Sequence, residues 1–504
     1  MTTESNVGGS RPEFRGLQYW MERVLKELES VRKSPDADAV HDLRVAIRRC
    51  RSVAAVMEEV DPDPLWPHMR KLGKKLFRQL GELRDTQVLE QWTKKLGPES
   101  DTVRERLLAA LGAQEKEMQQ AAFKAVDKFD QKAWKKLERK LQKRSRLVTP
   151  DGLAAECLAL ERLEAAKELH VRALRAEKAE AWHALRIGVK RFRYAVESLI
   201  PARYAEWEDD LKRLQDLLGE VHDLDVLSGK IAEVTGDQQE ARAAWAERIA
   251  SQRHERIESY RERTVGEGGL WQQWRHGLPE GNRVATAAQA RLRATARALE
   301  ANTRRAMLVA RLAMRLFGAF ARLHTVPALA NKNVRRMMRA AARLQGIGSG
   351  LNAKSPQKAA RKYLKTMVVP PGWTEQEWEL MAEVVRYHRG ALPDPKHKSF
   401  ARFTPEEQRV VSTLAGVLRL ARTLSKSGAG VGGIEVERSG ETLMVRVPGL
   451  LESEEHAARL AAGKYLLEKS LGQPLVIKAV QLAPKLIALP AKEEPPATSA
   501  AASD

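Results

Sequence analysis

The chain is poor in the residues that staple, break or stack a fold. Its 504 residues include two cysteines, Cys50 and Cys157, which excludes a disulfide framework and fits a reducing compartment. Aromatic residues make up 5%, most at positions that read as core, which leaves few platforms on which unpaired bases could stack. No apolar run reaches the roughly 18 residues that a membrane-spanning helix needs. Residues 1–12 are polar, without the apolar centre of a signal peptide. A cytoplasmic protein without membrane contact is therefore expected. No zinc-finger or RNA-recognition signature and no Gly-rich phosphate loop occurs. Glycine and proline number 32 and 22, so long windows pass without a turn signal.

Ala, Leu, Arg, Lys and Glu dominate what remains, a mixture that predicts a mainly α-helical protein. The length allows two to four domains, each large enough for its own core. Lys plus Arg number 87 against 66 for Asp plus Glu, a net charge of +21. Such a field gathers polyanions: nucleic acid, polyphosphate or an acidic membrane surface.

The charge is concentrated in a repeat. The stretch His41-Asp42-Leu43-Arg44-Val45-Ala46-Ile47-Arg48-Arg49-Cys50-Arg51 returns about 140 residues later as His183-Ala184-Leu185-Arg186-Ile187-Gly188-Val189-Lys190-Arg191-Phe192-Arg193. At about 3.6 residues per turn, His41, Arg44, Arg48 and Arg51 share one helix face and Leu43, Ile47 and Ala54 another. His183, Arg186, Lys190 and Arg193 repeat the stripe. Like charges at i,i+4 repel. For a single Arg-rich helix a solvated outer face is the usual explanation. Here each copy is followed at a similar distance by a lysine (Lys74 or Lys212) and by a Gly-Glu turn bearing a cation and an aspartate, Gly81 to Val88 and Gly219 to Val226. The duplication favours two similar units about a pseudo-two-fold axis, with the basic stripes facing each other across a shared anion channel.

The expected organisation is a flexible leader over 1–12 and two helical halves over about 13–148 and 150–265. A linker over 266–285 collects Gly266, Gly268, Gly269, Gly277, Pro279 and Gly281. The second domain covers 286–482, with a long helical region over 292–323 and further helices over 334–344, 357–367, 375–387 and 405–424. Alternating patterns at 434–437 and 443–447, around Ser439-Gly440, predict two strands. A helix over 457–470 and a strand over 475–480 follow. The tail from 483, rich in Pro, Ala and Glu, is expected to be disordered.

Across residues 14–260 these motifs resemble the conserved histidine alpha-helical domain family, abbreviated CHAD. The resemblance implies a duplicated helical bundle around a basic central pore that binds inorganic polyphosphate. Carried onto this sequence, the polyphosphate-binding residues are His41, Arg44, Arg48, Arg49, Arg51, Lys74 and Arg84 in the first half. The second half supplies His183, Arg186, Lys190, Arg191, Arg193, Lys212 and His222. Arg84 stands in one turn where His222 stands in the other, and Lys190 replaces an arginine. A polyphosphate carries about one negative charge per phosphate, which Arg forks and Lys ammoniums meet with charge-assisted hydrogen bonds. His41 and His183 read as phosphate contacts, because no Cys, carboxylate or second His sits at ligand spacing in either motif. No metal, cofactor or catalytic residue is expected. Asp85 and Asp223 read as anchors for neighbouring cations or helix caps, and nucleic acid is the second choice of partner.

Residues 301–480 resemble the C-terminal HD-type helical domain of the exopolyphosphatase and guanosine pentaphosphate phosphatase family. The matching pieces are Val309-x-x-Leu312-Ala313-x-x-Leu316-Phe317, Arg386-Tyr387-His388-Arg389, Val417-Leu418-Arg419-Leu420-Ala421 and Gly472-Gln473-Pro474-Leu475. In HD phosphohydrolases, His and His-Asp ligands hold the metal that activates water. Here the His-Asp position reads Leu344-Gln345, the first His position Arg305 and the later Asp position Arg422. The expectation is a degenerate HD-like domain without catalysis, with His388 structural and a nucleotide or other polyanion as the class of ligand its arginines suit. Two alternatives stay open: a phosphoanhydride hydrolase acting through this domain, and a nonspecific nucleic-acid-binding scaffold.

Overall fold

The computed structural model describes residues 16–480, except 35–36, 177, 237, 301, 324–326 and 452. The expected leader over 1–12 and the tail from 483 lie outside the described residues. The fold is mainly α-helical with a small three-stranded sheet near the C-terminal end. In chain order the helices are α1 Leu17–Lys33, α2 Ala37–Met57, α3 Leu65–Leu72, α4 Lys74–Leu96, α5 Thr102–Asp127, α6 Gln131–Ser145, α7 Leu153–Ala176, α8 Ala179–Leu199, α9 Pro201–Thr235 and α10 Gln239–Thr264. They continue as α11 Leu270–His276, α12 Asn282–Leu299, α13 Thr303–Arg322, α14 Lys332–Leu344, α15 Gly348–Leu351, α16 Pro356–Thr366, α17 Glu375–Tyr387, α18 Lys398–Ala401 and α19 Pro405–Leu424. Strands β1 Glu435–Ser439 and β2 Thr442–Pro448, helix α20 Glu454–Leu471 and strand β3 Leu475–Val480 follow.

The chain divides into two compact units, residues 1–303 with 343–386, and residues 304–342 with 387–504. In the first unit the repeat is visible as architecture. Helix α1 corresponds to α7, α2 to α8, α3 and α4 together to the single long α9, and α5 to α10. Each amphipathic helix turns its apolar stripe inward: α1 buries Leu17, Met21, Val24, Leu28 and Val31 at three- and four-residue steps. Both halves feed one core, to which α2 gives Leu43, Ile47 and Ala54 and α8 gives Leu185, Val189 and Phe192. A second core gathers Leu89 and Trp92 of α4, Leu107 of α5, Leu224 and Leu227 of α9, and Trp245 of α10. The halves therefore share cores and do not fold as separate bundles. Aspartates cap the starts of α5 and α6: Asp101 accepts from the Val103 and Arg104 amides, and Asp130 from the Ala133 amide.

Three expectations change. Residues 81–88 and 219–226, read as turns, lie inside α4 and α9. A helical glycine costs about 1 kcal/mol relative to alanine, and here burial of Leu80, Leu83, Leu218 and Val221 outweighs it. The segment read as a linker over 266–285 contains α11, whose Trp271 and Trp274 are buried. Trp274 packs 5.4 Å from Phe192, and Trp271 lies 5.3 Å from His170. Gly277 sits directly against the Trp207 indole, where a Cβ would collide, so this glycine serves packing. The helical region over 292–323 is two helices, α12 and α13, and α12 packs on α7. That contact encloses an ion pair of Arg291 and Glu161 at 3.0 Å, with side chains 1% and 5% exposed.

In the second unit α19 packs along α20. Gly416 and Gly463 permit the close approach: a Cβ at Gly416 would lie 2.9 Å from the Leu467 backbone, and one at Gly463 would collide with Thr423. Thr404 and Glu407 form a capping box at the start of α19, and Ser453 caps α20. Strands β1 and β2 form the expected hairpin, with Ser439 opposite Thr442 and Gly440 at φ +60° in its turn. Strand β3 runs parallel to β2, with Leu443 opposite Leu475, an arrangement that the α20 crossover allows.

Candidate anion-binding site

The basic stripes of α2 and α8 meet in the first unit, because the apolar faces opposite them are committed to the shared core and the two helices pack together. Lys190 of α8 shows the convergence. Burial, then Arg186 of its own helix, then Arg48 and Arg44 of α2 push its ammonium down to about 8, and Asp223 opposes them. The stripes therefore face one another across the repeat.

Each half adds a residue from its next long helix. In the first, Arg84 of α4 acts on both His41 and Arg44. In the second, His222 of α9 stands against His183, with Nδ1 atoms 3.3 Å apart and ring centroids 4.7 Å apart. Burial and then Arg186, His183 and Lys190 push His222 down to about 4. Burial, then Arg48, lowers His41 as well. Both imidazoles are held toward the neutral form in a cluster that repels protons.

Two carboxylates sit among these cations. Asp85 Oδ1 is 3.9 Å from Arg44 Nη2. Asp223 is pushed up to about 6, first by burial against the pull of Arg186, with Asp85 across the repeat adding to the rise. Gly81 of α4 lies alongside Arg44, whose Nη2 would stand at an ordinary contact distance of 3.9 Å from a Cβ there. The Nε atoms of Arg44, Arg48, Arg186 and Arg193 are buried and have no hydrogen-bond partner. Buried donors without acceptors are costly. An anion with several oxygens would satisfy them.

The other residues named from sequence are spread more widely. Arg193 donates to the Tyr204 hydroxyl at 3.3 Å, and with Lys212 it acts on Asp216. Lys74 and Lys212 are exposed, each ten positions before Arg84 and His222 in the sequence, or about 15 Å along a helix. Arg49 and Arg51 have structural partners: Arg49 pairs with Glu197 and lies 5.3 Å from the Trp20 ring, while Arg51 donates to the Arg70 carbonyl at 2.6 Å and covers Phe77. Arg191 is exposed and acts on Arg162 of α7. Five positions from Arg44 or Arg186, Arg49 and Arg191 fall on the far side of their helices.

Sequence reasoning missed the supports. Tyr194 lies beneath Arg48, 5.7 Å from guanidinium carbon to ring centroid. Arg253 and Arg256 of α10 hold Asp225 and Glu220 of α9, each at 2.8 Å. Tyr194 stands four residues after Lys190, so its position on the stripe was readable; the α10 arginines carried no signal because their partners lie in another helix.

The first unit is thus a helical duplication that gathers cations from both copies. The family comparisons agree with that architecture. Residues 16–232 match the CHAD domain, and residues 289–434 match the Ppx/GppA phosphatase, domain III. The chain thus carries a CHAD domain followed by a Ppx/GppA-type domain III. Among solved structures it is similar to the crystal structure of the CHAD domain from the plant Ricinus communis, at 24% identity and a TM-score of 0.36, over 52% of this chain and 88% of that one. No curated protein matches the chain. Among the described residues, no helix is long and apolar enough to cross a membrane.

Proposed function

We propose that the first unit binds inorganic polyphosphate in a basic channel between the two repeats, and that the protein acts in the cytoplasm as a binding protein and not as an enzyme. The observation that carries this reading is the set of buried, unpartnered Nε donors on Arg44, Arg48, Arg186 and Arg193. They come from both copies of the motif; Arg44, Arg48 and Arg186 converge around Lys190, which has lost part of its hold on its proton, and Arg193 lies apart, beside Tyr204. A chain of phosphates supplies acceptor oxygens at every unit and compensates several cations at once, where a single carboxylate would serve one. His41, His183 and His222 serve as phosphate contacts, and the anion offsets the cations that lower His41 and His222. Arg49, Arg51 and Arg191 lie at the margin of this ligand set, engaged as they are with Glu197, the Arg70 carbonyl and the neighbourhood of Arg162.

Nucleic acid offers a comparable charge, but aromatic stacking partners are scarce around the cluster: Tyr194 lies under Arg48 and so already has a cation on its face. Competition separates the ligands. With long-chain polyphosphate and single-stranded nucleic acid at equal phosphate concentration, polyphosphate is expected to displace nucleic acid. Its affinity is expected to fall log-linearly with salt, as counterion release requires. Equal affinity for the two polymers would overturn the assignment.

A further inference from the structure

The second unit holds a separate cluster of cations. A pocket of about 280 Å³ opens between residues 388–390, which follow α17, the C-terminal turns of α19 and the middle of α20. Its charged lining is Arg389, Arg419, Arg422, Lys426 and Arg459, beside His388, and its remaining lining residues are small: Gly390, Thr423, Ala462 and Gly463. No carboxylate is among them. The floor is the close crossing of α19 and α20 that Gly463 permits.

Part of this cluster has a structural explanation. Cations suit helix C-termini, and Arg419 donates to the Tyr387 carbonyl at the end of α17 and to the Gly390 and Ala391 carbonyls beyond it. Arg459 pairs with Glu455 on its own helix. Lys426 is different. After burial, the groups acting on it are Arg305, Arg422, Arg459 and Arg389, and all four lower its hold on the proton. By the sequence resemblance, Arg305 and Arg422 stand where the HD-type pattern would place metal ligands. In the folded unit both act on the same lysine, so positive charge is concentrated here.

We propose that this pocket is a second anion site, which takes a short inorganic phosphoanhydride of two or three phosphates, either free or as the end of a longer polyphosphate. The size argues for a compact ligand, since pockets that bury whole organic ligands run to about 300–1,000 Å³. The lining argues for an inorganic one, because it has five Arg and Lys side chains, no Phe, Tyr, Trp or large apolar residue, and its one imidazole, His388, is 1% exposed and so offers little face to a base. Arg forks and a Lys ammonium match the oxygens of a bent triphosphate.

The inference is independent of the channel in the first unit, and its test keeps them apart. The full chain carrying Arg44→Glu and Arg186→Glu is titrated calorimetrically with inorganic tripolyphosphate, and compared with the same chain carrying in addition Lys426→Glu. A milder Lys426→Met version, and Arg438→Glu on the exposed face of β1, serve as controls, with matched thermal melting as the check on folding. The expected result is one equivalent of tripolyphosphate bound by the background chain, weakened at least tenfold by Lys426→Glu, several-fold by Lys426→Met and negligibly by Arg438→Glu. Equal binding in the Lys426 variants, or an equal loss from Arg438→Glu, would overturn the site. Long-chain polyphosphate binding more tightly per molecule than tripolyphosphate assigns the chain end as the ligand; equal affinity assigns the free oligophosphate. ATP binding more tightly than tripolyphosphate would overturn the inorganic assignment.

Discussion

Proton linkage at Lys190 gives the channel a signature that net charge alone would not produce. In the free protein its ammonium is held at about 8 against an ordinary 10.5, by burial and by Arg186, Arg48 and Arg44. A polyphosphate placed among these cations removes the cause of the depression, so the bound form takes up a proton. The sign follows: the bound pKa exceeds the free one, so affinity is greatest below about 8 and is lost as pH rises toward 10.5. If binding restores the ordinary value in full, affinity falls about 30-fold between pH 7 and pH 9.5, and about 0.9 proton is taken up per channel at pH 9. Calorimetry in buffers of different ionisation enthalpy reads the proton count directly. Lys190→Arg keeps the charge throughout this range, so it should retain tight binding at pH 7 and flatten the alkaline decline. Absence of proton uptake in the wild type, or an unchanged slope in Lys190→Arg, would refute the reasoning.

Other consequences can be checked alongside. Asp223 is pushed up to about 6 from 3.8; a carboxyl whose folded pKa is raised binds more protons folded than unfolded, so its stabilising protonation is lost as pH climbs through about 6. Asp223→Asn should therefore raise stability above pH 7, by up to about 3 kcal/mol before screening, and tighten polyphosphate binding there; denaturant titration at pH 5 and pH 8 tests the sign. Glu161→Ala strands the Arg291 guanidinium, 1% exposed, and should cost about 3–5 kcal/mol in urea unfolding. At Gly188 a Cβ would lie 2.8 Å from Leu169, so Gly188→Val should force α7 and α8 apart and lower stability by about 1–3 kcal/mol in thermal or urea melts.

The helices and the duplication were legible in the sequence because both rest on spacing. The apolar steps of α1 and the two His-Arg stripes are local patterns, and so is the β1–β2 hairpin around Gly440. What escaped depended on partners distant in the chain. Gly81 and Gly219 read as turn residues until the buried leucines around them were seen to hold α4 and α9 intact. Trp271 and Trp274 sit in a Gly- and Pro-rich stretch, and only the aromatic cluster with Phe192 and Trp207 shows that the stretch is folded. Within the motifs, the family resemblance grouped Arg49 and Arg191 with the stripe cations, whereas both turn to other helix faces, as their spacing requires. The pocket of the second unit was hidden for the same reason, since residues 389, 419–426 and 459 carry no common motif.

The central claim is that polyphosphate is held between the repeats, and charge reversal on both stripes tests it most directly. Arg44→Glu with Arg186→Glu changes net charge by four, and Lys132→Glu with Lys136→Glu on the exposed face of α6 makes the same change elsewhere in the first unit. Titrated with long-chain polyphosphate at fixed salt, the first variant should lose at least 100-fold in affinity, about 2.7 kcal/mol, while the second stays within a few-fold of the wild type. Equal losses in two folded variants would show that the protein binds through its overall charge, and would contradict a channel.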